Sequence, residues 1–384
     1  MQFGIDASRA TKPQPTGTEY YSAEIIKALA ELNTKHEFIL YSPVKPMGEL
    51  AALPNNFRWK IMPFPRFWSQ LRLSAEFLSR RPSSEVVFEP AHTVPLFHPR
   101  GMVTTIHDLG FFRFPELYTS LERYYHGYSF RFSVKHSAHI IAVSEATKKD
   151  ILHFAPRTSA EKITVIYHGY HHKLYKPAKK PLKKIAVGYR MIEAPYFFFV
   201  GRIEEKKNIS RLLAAFEQFN RAHPEYSLVL AGKPGYGYEH FRSQIMEYPF
   251  AIRSRIYFLG YASEEHIALL MQHAAALVFP SLFEGFGMPL LEAMAAHTPV
   301  ICSNTTSLPE IAGEAALQIA PRDTKTLMHA LSEVVKPEVR KKLVKMGERR
   351  VKQFSWHKAA QATLAVLEHT AYAVSTKHDP PPPS

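Results

Sequence analysis

The chain is predicted to be an α/β protein made of two successive rounds of strand–loop–helix units. Three observations lead there. Its 384 residues suffice for two domains. Short apolar runs recur, each followed by a Gly- or Pro-bearing loop and then a helix-periodic stretch, the pattern of parallel strands with crossover helices. Between the two rounds, from Tyr170 to Lys184, the sequence turns to Lys, Pro and His without clear periodicity, as a crossover between domains would.

Composition narrows the class. A hydrophobic content of 46% supports well-built cores. No apolar run reaches the roughly 18–20 residues of a membrane span. The N-terminus, Met1-Gln-Phe-Gly-Ile-Asp6, lacks a charged-then-apolar leader, so a cytoplasmic location is expected. A single cysteine, Cys302, excludes an internal disulfide and a thiolate metal cluster. The net charge of +14 calls for anionic company: nucleic acid, an anionic membrane or phosphorylated substrates. No helix-turn-helix, zinc-finger or RNP-like pattern is present, so nucleic acid is not expected as a partner.

The first round opens with a strand at Phe3–Asp6, a loop Lys12-Pro-Gln-Pro-Thr-Gly-Thr18, and a helix with Tyr21, Ile25, Ile26 and Leu29 at helical spacing. Gly17 and Thr18 sit where a loop approaches a phosphate, although an ordinary βα turn reads the same way. Glu37–Tyr41 and Glu85–Phe88 are further strands. Phe64–Leu78, with Phe67, Trp68, Leu71, Arg66 and Arg72, reads either as a surface for a bilayer or acceptor or as a surface helix with its apolar side packed inward. Met102–Ile106 is a strand ending in His107-Asp108. Ligands sit beyond the carboxyl ends of strands in open α/β sheets, so His107 is a candidate for polar contact with a ligand or else a structural histidine. Leu121–His136 is a helix rich in Tyr, Phe and Arg. Ala138–Val143 and Ile163–Tyr167 are strands, and Ser144 is the N-cap of the helix between them.

The second round begins with Tyr196-Phe-Phe-Phe-Val200, a run suited to a strand buried on both faces. Gly201-Arg202 ends it, and Lys206-Lys207-Asn208 precedes a helix with Ile209, Leu212, Leu213 and Phe216. Ser227–Ala231 leads into Gly232-Lys-Pro-Gly-Tyr-Gly237, and Ile256–Leu259 into Gly260-Tyr261. Glu265–Gln272, Thr324–Val335 and Glu338–Gln353 are helices, and Val300–Cys302 is a strand. The most informative stretch is Val278-Phe-Pro-Ser-Leu-Phe-Glu-Gly-Phe-Gly-Met-Pro-Leu-Leu-Glu-Ala-Met294, a strand end, a glycine loop and the start of a helix. A loop feeding a helix N-terminus presents N–H groups and partial positive charge to an anion or to hydroxyls.

Two carboxylates, Glu284 and Glu292, frame that loop. Paired acids suggest a glycosidase, which needs its carboxyls about 5–9.5 Å apart. Eight helical positions separate backbones by roughly 12 Å, which weakens that reading. Glu292 as a mere helix-solubilising residue remains open on spacing alone.

Glu284 and Glu292, with Gly285-Phe286-Gly287 between them, resemble the E-x7-E signature of the retaining, nucleotide-sugar-dependent glycosyltransferases of family 4 (glycosyl transferases group 1). The likeness continues through Pro299-Val300-Ile301 and Ser307-Leu-Pro-Glu-Ile311, and Gly201-Arg202 with Lys207-Asn208 resembles the family's G-R-x4-K-N pattern. The resemblance covers nearly the whole chain, most specifically its C-terminal half, and extends by overall similarity to bacterial mannosyltransferases of surface polysaccharide. It implies a GT-B fold: two Rossmann-like domains facing a central cleft. It further implies an acceptor domain over 1–175, a linker over 176–195, a donor domain over 196–355, a closing helix over 356–372 and a disordered tail over 373–384.

The roles it implies are these. Arg202 and Lys207 hold the donor diphosphate, and Glu284 faces the sugar. Gly285, Phe286, Gly287 and Met288 offer backbone N–H groups to sugar hydroxyls. Glu292 binds the ribose, backbone around Tyr261 lies near the base, Gly17 and Thr18 approach the diphosphate, and His107 approaches the sugar. Two cations replace a divalent metal, so neither metal nor cofactor is expected beyond a GDP- or UDP-sugar. The expected activity is transfer of a hexose, mannose from GDP-mannose as first choice, to a glycan or lipid-linked acceptor. An anionic membrane surface is a further expected partner, giving peripheral attachment at the inner face of the cytoplasmic membrane. A nucleotide-sugar epimerase or hydrolase on the same fold, and a non-catalytic polyanion-binding protein, are the alternatives.

Overall fold

A computed structural model of the chain describes residues 1–12, 17–79, 84, 86–91, 93–188 and 190–376. It comprises two compact units, residues 1–169 together with the C-terminal segment from Ser355, and residues 170–354.

The first unit carries strands β1 (Gln2–Asp6), β2 (Glu37–Ser42), β3 (Phe57–Ile61), β4 (Val86–Glu89), β5 (Gly101–Ile106), β6 (His139–Ala142) and β7 (Ile163–Val165). They form one parallel sheet in the order β3-β2-β1-β4-β5-β6-β7. The chain order reverses between β1 and β4, so the carboxyl ends of those strands form a crevice. Every residue of β4 and β5 is buried, as expected for strands covered on both faces. The helix Gly17–Glu31 turns Tyr21, Ile25, Ile26 and Leu29 into the core. The helix Ser120–His136 starts with a reciprocal capping box between Thr119 and Glu122. Ser144 Oγ accepts from Thr147 N–H at 3.0 Å and so caps the helix Glu145–Phe154. The C-terminal helix Trp356–Ser375 packs on Gly17–Glu31 and across β4, β5 and β6.

The second unit opens with an antiparallel hairpin, β8 (Lys184–Val187) and β9 (Arg190–Glu193). Its main sheet consists of β10 (Tyr196–Val200), β11 (Ser227–Ala231), β12 (Ile256–Gly260), β13 (Ala276–Phe279), β14 (Val300–Ser303) and β15 (Ala316–Ile319). All are parallel in the order β12-β11-β10-β13-β14-β15, with the reversal between β10 and β13. Phe197, Phe198 and Phe199 are fully buried, and Phe197 meets Phe219 of the helix Ile209–Asn220 edge-to-face at 5.2 Å.

Several expected boundaries move. Residues 170–175, assigned above to the first domain, belong to the second unit, and the expected linker over 176–195 contains the β8–β9 hairpin. Ile185 and Ile192, both buried, pair across its two strands. The closing helix continues to Ser375, three residues into the expected tail, and residues 377–384 lie outside the described residues. Strands β3 and β15 were not anticipated. In the segment 64–78, residues from Trp68 onward are helical, with a π turn over Ser69–Leu73; Trp68, Leu73 and Phe77 face inward. Glu85 of the expected strand at 85–88 and Pro13–Thr16 of the loop before Gly17 lie outside the described residues.

Candidate active site

The second unit's site is built at the switch point of its sheet, where β10 and β13 lie side by side and their loops leave in the same direction. After β10 the chain passes Gly201 and Arg202, makes one 3-10 turn over Glu205–Lys207 and enters the next helix through Asn208 in the left-handed conformation (φ 62°). Asn tolerates that region better than most residues. Its buried amide also donates to Pro280 O at 3.0 Å and Pro321 O at 2.6 Å, while Arg211 donates to its Oδ1 at 2.9 Å. Asn208 thereby ties the β10 loop to the β13 loop. A backbone bond, Leu282 N–H to Lys206 O at 2.9 Å, makes the same connection again.

These ties set Lys207 against Glu284. Lys207 Nζ donates to Glu284 Oε1 at 2.6 Å, with both side chains only 13% exposed. The ammonium also lies over the Phe279 ring, 5.6 Å from its centroid. Thr306 Oγ1 accepts from Glu284 N–H at 3.2 Å, and Ser307 Oγ donates to the carbonyls of Glu284 and Phe286. The glycine loop is thus held by the loop after β14. Gly287, at φ 101°, is the turn into the helix Met288–Ala295, and a Cβ there would lie 2.6 Å from Leu308. The loop backbone over Gly285–Met288 feeds a helix N-terminus, the arrangement that receives anions and hydroxyls.

Glu292 sits one turn inside that helix, 8% exposed. Burial raises its pKa to about 8, the nearby Glu264 carboxylate adds to the rise, and the hydroxyl of Tyr175 opposes it. Arg202 is placed differently from Lys207. Its side chain is 66% exposed and meets Glu204 at 3.7 Å; no hydrogen bond or ion pair joins it to Glu284 or Glu292 among the described residues. Tyr261 follows β12, exposed, with Lys233 Nζ 5.0 Å from its ring centroid. The loops after β10 and β11 are zipped by Ile203 N–H to Lys233 O and Gly235 N–H to Ile203 O.

In the first unit, Gly17 and Thr18 are the first residues of the helix Gly17–Glu31, and space around Gly17 is open. His107 follows β5; its Nε2 bonds Pro90 O at 2.7 Å and its ring meets Tyr21 edge-to-face at 4.7 Å. Burial pushes its imidazole down in pKa, against the pull of the Pro90 carbonyl and of Asp108. His168 and Trp356 stack at 5.7 Å in the same aromatic cluster.

Sequence reasoning thus singled out Lys207 and Glu284, which meet, but passed over Tyr175, whose hydroxyl meets Glu292, Glu264, whose carboxylate opposes it, and Thr306, which takes the Glu284 N–H. A tyrosine in an aperiodic segment carries no local signal of a bond to a residue more than a hundred positions away.

Two doubly wound parallel sheets, one in each unit, with a lysine and a carboxylate joined at the second sheet's switch point, place the chain in the GT-B class of fold. The chain belongs to the group 1 glycosyltransferases: residues 191–353 match the model described as glycosyl transferases group 1, and residues 15–174 that of glycosyltransferase family 4. Among known proteins it is similar to O-antigen chain mannosyltransferase B of Escherichia coli, 26% identical over 375 residues, covering 94% of this chain and 98% of the relative. Among solved structures it shares the fold of a sucrose-phosphate synthase from Thermosynechococcus elongatus (TM-score 0.73, 18% identity, 97% of this chain and 100% of that one). It shares it also with Anabaena HepE in complex with UDP and glucose (TM-score 0.69, 15% identity, 96% and 99%). No helix among the described residues is long and apolar enough to cross a membrane.

Proposed function

We propose that this glycosyltransferase takes mannose from GDP-mannose, with retention at the anomeric carbon, and passes it to a glycan or lipid-linked saccharide in cell-surface polysaccharide synthesis. The observation that carries the reading is the Lys207–Glu284 contact at the switch point of the second sheet. Negative charge grows on the leaving diphosphate as its bond to the sugar breaks. A prepositioned cation stabilises that charge more in the transition state than before it. Lys207 supplies the fixed cation, and the exposed Arg202 guanidinium swings onto the other phosphate oxygens, so that the pair performs the work of a divalent metal. Glu284, relieved of Lys207, accepts sugar hydroxyls and offsets the positive charge developing on the ring. The backbone of Gly285–Met288 meets further hydroxyls, and Glu292 accepts the ribose. Backbone beside Tyr261 lies along the base. Gly17, Thr18 and His107 carry the roles in the first unit that the family resemblance implies.

The choice of mannose is supported by the full-length similarity to an O-antigen mannosyltransferase, and a nucleoside diphosphate by the UDP bound in the HepE neighbour. Weak membrane attachment is supported by the net charge of +14 and by the helix Ser120–His136. There Leu121, Tyr124, Tyr125 and Tyr128 are exposed at helical spacing, with Arg123 and Arg131 beside them.

Incubation with a panel of GDP- and UDP-sugars, with and without mannoside acceptors and with chelator present, tests the reading. Consumption of GDP-mannose only with acceptor, unaffected by chelator and giving an α-linked product by NMR, is expected. No consumption of any donor rejects it, and an epimerised or hydrolysed donor without acceptor moves the chain to another activity.

A further inference from the structure

At the amino ends of β5 and β6, the opposite edge of the first sheet from its crevice, lies a cavity of about 350 Å³. That volume falls in the range of small-molecule sites. Arg100 lines it just before β5, and His136, Ser137 and His139 line it between the helix Ser120–His136 and β6. His369 comes from the C-terminal helix, and all of these residues belong to the first unit. Every titratable side chain in the lining is basic. Glu368, beside His369 in the chain, is bonded to His36 at 2.8 Å instead. Arg100 and His369 are exposed, and neither forms an ion pair among the described residues.

Further cations stand behind the lining. The end of a helix is its negative pole, but Lys162 Nζ covers it by donating to Val134 O at 2.7 Å and Lys135 O at 3.5 Å. Lys148 Nζ donates to Ile163 O at 3.0 Å. The His136 ring is stacked on Phe132 at 4.2 Å and meets His98 edge-to-face at 5.3 Å. His139 Nε2 is bonded to Thr164 Oγ1 at 2.8 Å. Ser137 is the independent sign of a ligand. It is 3% exposed, its N–H donates to Ser133 O at 2.9 Å, and its Oγ has no partner within the protein. A buried hydroxyl left unmet costs free energy that a bound acceptor removes.

Basic groups from separate elements, a spare hydroxyl and no lining acid suit an oxyanion with oxygens on several sides, which a tetrahedral group has and a planar carboxylate lacks. Ala373 and Val374 line the remainder and leave room for a short carbon chain. We infer that this cavity binds a phosphate group, free or carried by a small monoester: Arg100, His136, His139 and His369 surround it with positive charge, and Ser137 donates its hydroxyl. The site is separate from the Lys207–Glu284 site and does not rest on the transferase reading. Burial first, then the charges of His98, Lys135 and Lys162, hold the His136 imidazole below its ordinary range. Burial, followed by His369, Lys162 and Lys148, does the same to His139. An oxyanion beside these rings favours their charged forms, so binding takes up protons and tightens as pH falls.

Calorimetric titration of the full chain with inorganic phosphate, glycerol 3-phosphate, sulfate and chloride tests this. Sulfate keeps its charge between pH 6 and pH 8, so its affinity reports the protein alone; it should be about tenfold tighter at the lower pH. Arg100→Ala and His369→Ala should each weaken phosphate about tenfold, and Ser137→Ala several-fold, with the anion-free melt not lowered by any of them. Lys207→Ala should leave the binding intact, which separates it from the nucleotide site. Tighter binding of glycerol 3-phosphate than of phosphate identifies an ester as the occupant, and equal binding identifies free phosphate. The inference is overturned by absence of binding, by loss of binding in Lys207→Ala, or by chloride matching phosphate at equal ionic strength. A sulfate affinity indifferent to pH, or a phosphate affinity that survives all three cavity substitutions, overturns it equally.

Discussion

Lys207 and Glu292 carry the sharpest consequences of single side chains. Removing one preorganised charge-stabilising donor from an active site typically costs about 2.7–4 kcal/mol of barrier. Lys207→Ala should therefore lower kcat with GDP-mannose about 100- to 1000-fold while the melting curve moves little, because the loop retains its Asn208 and Leu282 ties. A near-normal rate rejects Lys207 as the diphosphate cation. Glu292 speaks through pH. Its carboxyl titrates near 8 in the folded chain, raised by burial and by Glu264, and near its ordinary 4.5 when unfolded. The folded state thus holds the proton longer. The contribution is fully present below about 4.5 and is lost as pH rises towards 8, at about 1.4 kcal/mol per pH unit inside that window. Denaturant melts of Glu292→Gln should show a flatter dependence between those values than the parent. Identical slopes would mean that Glu292 is ionised in the folded chain.

At the level of the element, the two loops that form the site are joined by one residue. Asn208→Ala removes the bonds to Pro280 and Pro321 and leaves a non-glycine residue at positive φ without its compensating contacts. A loss of about 2–3 kcal/mol in denaturant stability is expected, with reduced turnover because Glu284 rides on the freed loop. Gly232 is the stricter case. At φ 152°, its Cβ would lie 1.8 Å from Gly201 O, a backbone atom that cannot move without breaking β10 from β11. Gly232→Ala should yield little folded protein, and a normal melt would show that the two loops part freely. This scale also explains what could be read in advance. Strands such as Tyr196–Val200 and Ser227–Ala231 were legible because both faces are buried and every residue is apolar or small. Strand β3, Phe-Arg-Trp-Lys-Ile, lies at a sheet edge with one side open, and its charges hid it. The β8–β9 hairpin was hidden likewise by Lys, Arg and Glu around two buried isoleucines. Lys207 and Glu284 were legible through motif resemblance; the Asn208 ties that bring them together were not, since only the folded sheet places Pro280 and Pro321 beside its amide.

Over the whole molecule, the same doubly wound plan occurs in each unit, and each carries its polar groups beyond the strand ends where the order reverses. The surplus of positive charge belongs to this scale too. Flotation with phosphatidylglycerol vesicles should retain the full chain at low salt and release it at high salt. Replacing Leu121, Tyr124 and Tyr128 together by Ser should abolish retention without altering consumption of donor onto a soluble acceptor. Equal retention on neutral phosphatidylcholine vesicles would reject an electrostatic attachment.

Lys207 and Glu284 are joined by a 2.6 Å bond within the protein. On the proposed roles, a donor that offers a phosphate to Lys207 and hydroxyls to Glu284 replaces both halves of that bond. Spent nucleoside diphosphate offers just the first. On the same roles, re-formation of the internal pair competes with the product for Lys207. GDP should accordingly hold the chain less tightly than a non-hydrolysable GDP-mannose analogue, and that preference should vanish in Glu284→Gln.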